Sequence, residues 1–226
     1  MIILFVCAGN IMRSVMAESV LEARSREMLQ GYSGILTAES CGLKAEPGSP
    51  PHREALRALE NIGVPPCASS SSIADDAMMD RAALALTMTR QQCYVLADRF
   101  PANREKCYSL VEVNGAIEML LEERGIEPGA GAPELDARGP DPAELSRRLE
   151  NAVTAIREIP REKVRQIPGV KMDTRELMTH FAPCFYQASG IHDPLSGTPE
   201  DMARCAELVD REVTALVGGL LAIALH

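Results

Sequence analysis

Apolar residues in this chain fall into short unbroken runs separated by stretches of helical spacing. Residues 2–6 are five apolar, largely β-type side chains, the pattern of a buried strand. After Ser14, the residues Val15, Met16, Val20, Leu21 and Ala23 recur at helical spacing. Gly31 and Gly34 break that pattern, and residues 35–40 read as a second strand. A loop follows through Gly42 and the Gly48, Ser49, Pro50, Pro51 cluster. Pro51 suits the first turn of the next helix, which passes through Leu56 and Leu59 and stops near Gly63. The serine run 69–72 reads as a loop and helix cap before residues 74–79. Residues 83–88 form a third, apolar strand of the central parallel kind. Thr89 caps a helix over 90–99, and residues 107–110 are the fourth strand.

Strands alternating with helices at this spacing predict an α/β fold: a four-stranded parallel sheet with helices on both faces and right-handed crossovers. In such sheets ligands bind beyond the carboxyl ends of the strands. A helix is expected over 114–124, then a Gly-, Pro- and Ala-rich link over 125–142. Leu145, Leu149, Ala152, Val153 and Ile156 mark a helix over 143–158, started by Asp141 and Pro142 and stopped by Pro160. A further short helix is expected at 174–181, and a final one from Pro199. Residues 1–226 thus read as a single domain, with 113–190 a helical insertion before the last helix, expected to cap the mouth of the site. Residues 213–225 are apolar except for Thr214 and two glycines, yet fall short of the roughly 20 needed to cross a bilayer. A buried terminal helix is the first reading, with membrane contact or a subunit interface as alternatives.

Composition narrows the partners. A formal charge of −9 argues against a nucleic-acid or anionic-membrane partner. The seven cysteines are scattered without a CxxC pair, which suits reduced thiols in a cytoplasmic setting. The four histidines stand apart, so neither a metal nor a cofactor is expected. No basic segment precedes the first apolar run, which is too short for a signal peptide.

The chemistry concentrates between the first strand and the first helix, in Cys7, Ala8, Gly9, Asn10, Ile11, Met12, Arg13 and Ser14. Loop amides and a helix N-terminus converging on one point suit an oxyanion, and the same field favours negative charge on a thiol at position 7. This loop resembles the active-site signature of the low-molecular-weight protein tyrosine phosphatases, Cys-x5-Arg-Ser after the first strand. The stretch from Leu86 through Thr87, Met88 and Thr89 to Arg90 is similar to one that the family carries on its third strand. Asp193-Pro194, before the closing helix, resembles the family's second signature. Asp141-Pro142 is a second such dipeptide, and position before the last helix favours Asp193.

The resemblance implies a phosphatase for phosphate monoesters, acting through a phosphocysteine on Cys7. Arg13 would clamp the phosphoryl oxygens, and Asp193 would act as general acid. Ala8, Gly9, Asn10, Ile11, Met12 and Ser14 would bind the phosphoryl group, with Ser14 bonded to the sulfur and Asn10 holding the loop's shape. The implied partner is a phosphorylated protein, phosphotyrosine first, or a small phosphomonoester, with inorganic phosphate as product. Met12 stands where many members carry a second cysteine, so no adjacent thiol would rescue an oxidised Cys7. Ile11 resembles the tyrosine-directed members, whereas phosphoarginine-directed ones tend to carry threonine. Leu195 and Ser196 replace the aromatics that often follow Asp-Pro, and Tyr186 is a candidate substitute.

A phosphoarginine phosphatase, a thiol-linked arsenate reductase and a non-catalytic phospho-ligand binding protein are the alternatives. The second needs closely placed resolving cysteines, and the third has no use for Cys7 and Asp193. His52 and His192 read as exposed loop residues. Cys41, Cys67, Cys93, Cys107, Cys184 and Cys205 read as structural.

Overall fold

Strand β1 (Ile2–Cys7) is the axis of the sheet, and its unbroken apolar run has a direct cause. Ile3 and Phe5 face one helical layer while Leu4 and Val6 face the other, so every position is covered. Beside it run β2 (Thr37–Gly42), β3 (Leu84–Thr87) and β4 (Cys107–Ser109), all parallel, in the order β2-β1-β3-β4. The computed structural model describes residues 1–67, 70–127, 139–164, 191, 194 and 198–226.

The first face is covered by α1 (Arg13–Met28), α2 (Arg53–Asn61), α5 (Leu110–Glu123) and α8 (Pro199–Leu225). The second carries α3 (Asp76–Arg81) and α4 (Arg90–Arg99). Helices α6 (Pro142–Glu158) and α7 (Arg161–Val164) add to the first layer. The doubly covered parallel sheet anticipated from the alternating pattern is therefore present. Thr198 and Asp201 form a capping box at the start of α8, with Pro199 in its first turn. Its apolar end packs inside the main cluster: Leu216, Val217, Leu220 and Leu221 are fully buried. Among the described residues no helix is long and apolar enough to cross a membrane.

Several boundaries differ from the sequence reading, each for a local reason. Strand β2 starts at Thr37 and ends on Gly42, because pairing with β1 runs from Ile2↔Thr37 to Cys7↔Gly42. Pro51 lies outside α2, whose N-cap is His52. The cap of α3 is Asp75, whose carboxylate accepts from the Met78 amide at 2.8 Å, and not a serine of the 69–72 run. Leu110 belongs to α5 rather than β4, and that helix begins four residues before position 114. Ser109 and Glu112 form a capping box there, a start signal hidden by the apolar run that crosses from strand into helix. The short helix expected at 174–181, with Tyr186 and Cys184, lies outside the described residues.

Helix α6 buries the five residues that its periodicity marks, against α5 and α8. It does not cap the mouth. Arg157 near its end donates to the carbonyl of Ala83, at the amino end of β3. Just before its start, the Pro140 carbonyl accepts from the Tyr32 hydroxyl at 2.7 Å, beyond the far end of α1. Both ends of α6 thus lie toward the amino edge of the sheet, across the molecule from Cys7.

Helices α5 and α8 approach closely at Gly219, where an added Cβ would lie 2.3 Å from Ile117 Cγ2. Gly219→Ala should therefore destabilise the protein by about 1–3 kcal/mol in urea unfolding. Ile117→Ala removes the clashing methyl, so the double variant should lose less than the sum of the single losses. A strictly additive pair would remove the close approach as the cause.

Candidate active site

The loop over residues 8–12 joins β1 to α1, and its curvature is set from behind. The carbonyl of Cys7 accepts from the Leu43 amide at 2.9 Å, that of Ala8 from Lys44 at 2.8 Å, and that of Ile11 from His52 at 2.8 Å. A trans peptide directs its N–H opposite to its C=O. The amides of Ala8, Gly9 and Met12 therefore point away from Leu43, Lys44 and His52 respectively. Helix α1 adds its own first turn, which has neither a side-chain cap nor an acidic residue. The positive end of the helix favours an anion there.

Gly42 makes this backing possible. A Cβ on it would lie 2.7 Å from the Ala8 carbonyl oxygen and 3.0 Å from the Asn10 amide nitrogen, both backbone atoms. No side chain fits without moving the loop.

Cys7 is buried, and among the described residues its sulfur has two polar neighbours: the Asn10 amide donates to Sγ at 3.3 Å, and Ser14 Oγ lies 3.0 Å away. Asn10 adopts the left-handed conformation, φ 52°, which asparagine tolerates better than most residues. Its carboxamide is the node of the site. Nδ2 donates to Ser14 Oγ at 3.0 Å and to Ser40 Oγ at 2.7 Å, and Oδ1 accepts from the Ser72 amide at 2.7 Å. Ser40 in turn donates to the Glu18 carboxylate at 2.5 Å. Burial pushes the Glu18 carboxyl above the ordinary range, the Ser40 bond opposes this, and neighbouring Glu22 and Glu39 add to the rise.

Arg13 is only 4% exposed, and its Nη1 donates to the carbonyl of Ile191 at 3.1 Å. The Ile191 amide donates to the Met88 carbonyl, at the end of β3. Ile191 and Pro194 are both buried, and Ile191 is fastened to the guanidinium and to the sheet. Asp193 and His192, like Leu195 and Ser196, lie outside the described residues. The competing Asp141 is occupied as the N-cap of α6, accepting from the amides of Ala143 and Glu144 at 3.0 Å.

The structure thus gathers Cys7, Asn10, Arg13 and Ser14 around one loop, with Ala8 exposed beside them and Gly9 and Ile11 partly so. Met12 is buried in the main core cluster. His52 differs from expectation: it is half-buried, meets the loop through its backbone, and its Nδ1 has no partner among the described residues. Cys41 pairs with Val6, one residue before Cys7, and packs in the core of the opposite face from Cys7. Burial pushes its thiol up to about 12, with the nearby Cys7 contributing. Cys67 is exposed, while Cys41, Cys93, Cys107 and Cys205 are buried. Glu18, Ser40, Gly42 and Ser72 were missed from sequence. Only the serine run and the glycine at a strand end offered any signal.

An α/β phosphatase with a cysteine-containing anion cradle is the class that this fold and loop define. The chain belongs to the low molecular weight phosphotyrosine protein phosphatase family, whose model matches residues 2–122, more than half of the 226. A protein-arginine-phosphatase of Bacillus subtilis (strain 168) is 33% identical over 125 residues, which are 54% of this chain and 79% of that protein. The low molecular weight protein tyrosine phosphatase of Bacillus subtilis aligns with a TM-score of 0.58 at 19% identity, covering 97% of each chain. YwlE arginine phosphatase from Geobacillus stearothermophilus aligns at 0.54 with 20% identity, over 95% of this chain and 89% of that one. At those identities the solved structures establish the fold alone. Family membership makes the chain a phosphatase and implies a phosphorylated protein as substrate, with phosphate released.

Two predictions follow from the geometry. Gly42→Ala should shift the loop backbone and lower kcat on p-nitrophenyl phosphate about 100-fold, since small misplacements of reacting groups are costly. Unchanged turnover would show that the loop tolerates the displacement. Glu18 has a folded pKa above its unfolded one, so its stabilising contribution is complete below the unfolded value and is lost as pH rises through the folded value. Across that window the wild type should lose unfolding free energy relative to Glu18→Gln. Parallel urea titration curves would contradict this.

Proposed function

We propose that this phosphatase removes phosphate from protein side chains, phosphotyrosine first, with Cys7 as nucleophile, Arg13 as clamp and Asp193 as general acid. The observation that carries the reading is the sulfur of Cys7 held 3.0 Å from Ser14 Oγ and 3.3 Å from the Asn10 amide, in a loop that leads into the buried Arg13. The Cys7 thiolate attacks phosphorus, an S–P bond forms, and the P–O bond to the substrate breaks. Asp193 gives its proton to the leaving oxygen. It then takes a proton from water, whose oxygen attacks phosphorus, breaking the S–P bond and freeing inorganic phosphate.

Arg13 is planar and permanently charged, so it can hold two phosphoryl oxygens at once while the amides of Ala8, Gly9 and Met12 serve the others. The Ser14 hydroxyl stabilises the sulfur as it attacks and as it leaves. Support for Asp193 comes from its neighbours: Ile191, two residues earlier, meets Arg13, and Pro194, one later, is buried. Asp141, the other candidate, is spent as a helix cap.

The apolar Ile11 at the edge of the loop favours an aromatic phosphoester. A specific observation favours a second reading, phosphoarginine: the curated relative at 33% identity is a protein-arginine-phosphatase. There the P–N bond would break and Asp193 would protonate the departing guanidinium nitrogen. We read 1–226 as one domain in which 113–190 is a helical insertion, with α6 bracing the amino edge of the sheet.

Phosphotyrosine and phosphoarginine peptides compared side by side test the substrate. A higher kcat/KM on phosphotyrosine is expected, and the reverse order would establish the second reading. Cys7→Ser should abolish turnover of both. Asp193→Ala should slow alkyl and unactivated aryl phosphates about 100- to 10,000-fold, and p-nitrophenyl phosphate far less, because an activated leaving group needs little protonation. Equal losses on all substrates would remove Asp193 from the acid role.

A further inference from the structure

At the amino edge of the sheet, the ends of α5 and α8 and the start of α6 border a cavity of about 400 Å3 that the chemistry above does not use. Helix α5 begins at the carboxyl end of β4 and runs 14 residues, about 21 Å, to reach it, so the cavity lies far from Cys7. In a chain of net charge −9 its walls are basic. Arg124 is the C-cap of α5, and Arg147 and Arg148 come from the second turn of α6. Three guanidiniums stand against the Glu144 carboxylate, or against two carboxylates once the main-chain one of His226 is counted. The carbonyl ends of α5 and α8 explain a cation at Arg124, because a helix is negative at its carboxyl end. They do not explain Arg147 and Arg148, which lie near the opposite, positive end of α6.

Glu144 neutralises one of those two arginines and positions both. Arg147 holds it with Nε and Nη2, at 2.9 and 2.7 Å, whereas Arg148 reaches it through Nε alone, at 2.6 Å. The Arg148 bond, and after it those of Arg147, keep the Glu144 carboxyl below the ordinary range and therefore charged. Across the cavity, Arg124 is fixed by one bond, from Nη1 to the Ile223 carbonyl at 2.9 Å. Among the described residues, the two Nη groups of Arg148 and the Nε–Nη2 edge of Arg124 have no partner. Each is a pair of parallel N–H groups, the fork that takes two oxygens of one phosphoryl or carboxylate group. Two forks on two helices match a ligand with two anionic groups, and the volume is that of a small-molecule site.

We propose that this cavity is a second anion site, binding a small molecule that carries two phosphoryl or carboxylate groups, one held by Arg148 and the other by Arg124. The bound molecule bridges α5 and α6, and so ties α6 to the helices that cover the sheet. It does not depend on the roles given to Cys7 and Asp193.

Titration calorimetry and thermal melts of the full chain test it, with pyrophosphate and citrate as two-group probes and inorganic phosphate and acetate as one-group probes. A two-group probe should bind with a component at least about tenfold tighter than its one-group counterpart, the worth of a second charged fork. Pyrophosphate ahead of citrate would mark a phosphoryl ligand, and the reverse order a carboxylate. At ten times its Kd that probe should raise Tm by about 3–6 °C. Arg148→Ala and Arg124→Ala should each weaken this component about tenfold or more, with p-nitrophenyl phosphate turnover kept within about twofold. Arg148→Lys keeps the charge and loses the fork, so it should weaken binding as well. Arg148 is partly exposed and bonds only Glu144, so its variants suffice if Arg124→Ala does not fold. Any binding that competes with p-nitrophenyl phosphate belongs to the Cys7 loop, and should be the same in wild type and variants. The proposal is overturned if that competing component is all that appears, if the variants bind as tightly as wild type, or if phosphate and acetate match the two-group probes.

Discussion

The Asn10 carboxamide is where the site is held together. It is buried, sits on a left-handed residue, and reaches three elements at once: Ser14 on α1, Ser40 on β2 and the amide of Ser72. Inside a protein, hydrogen bonds of this kind strengthen one another, and a missing partner is correspondingly expensive. Strand β2, the loop after it and the serine run therefore do more than cover the sheet. They carry the polar groups that give the loop around Cys7 a single shape, and Gly42 lets them come close enough to do so.

A second tie joins the two ends of the chain. Arg13 and Ile191 are 178 residues apart, and their bond is between a guanidinium and a main-chain carbonyl. The Ile191 amide completes it by bonding to Met88 at the end of β3. Ile191 is thus registered against the sheet through its backbone while its carbonyl also orients Arg13. Helix α6 works elsewhere, toward the amino edge of the sheet.

Legibility in the sequence followed locality. Residues 2–6 had to be a strand covered on both faces, because nothing polar interrupts them. The periodic residues of α6 are the ones that it buries, and Asp141-Pro142 does start that helix. The boundary at 109–110 was misread because an apolar run passes from strand to helix, and only the Ser109–Glu112 box reveals the change. The cap of α3 was assigned to a serine, although Asp75 stands closer to the helix. Where α6 lies could not be read at all, since its amphipathic stripe states that it packs but not against which edge.

By itself, then, the sequence determined the strand–loop–helix order, the parallel sheet and the cysteine-to-arginine loop at the carboxyl end of β1. Periodicity, caps and short motifs are all set by residues within a turn or two of one another. Only the tertiary structure decided that Ser40, 30 residues from Asn10, and Ser72, 62 residues from it, orient its side chain. It alone also decided that Gly42 admits the loop and that a carbonyl of the last segment holds Arg13. Such contacts join a backbone group to a distant side chain, so they leave no period in the sequence and appear only when the chain has closed on itself.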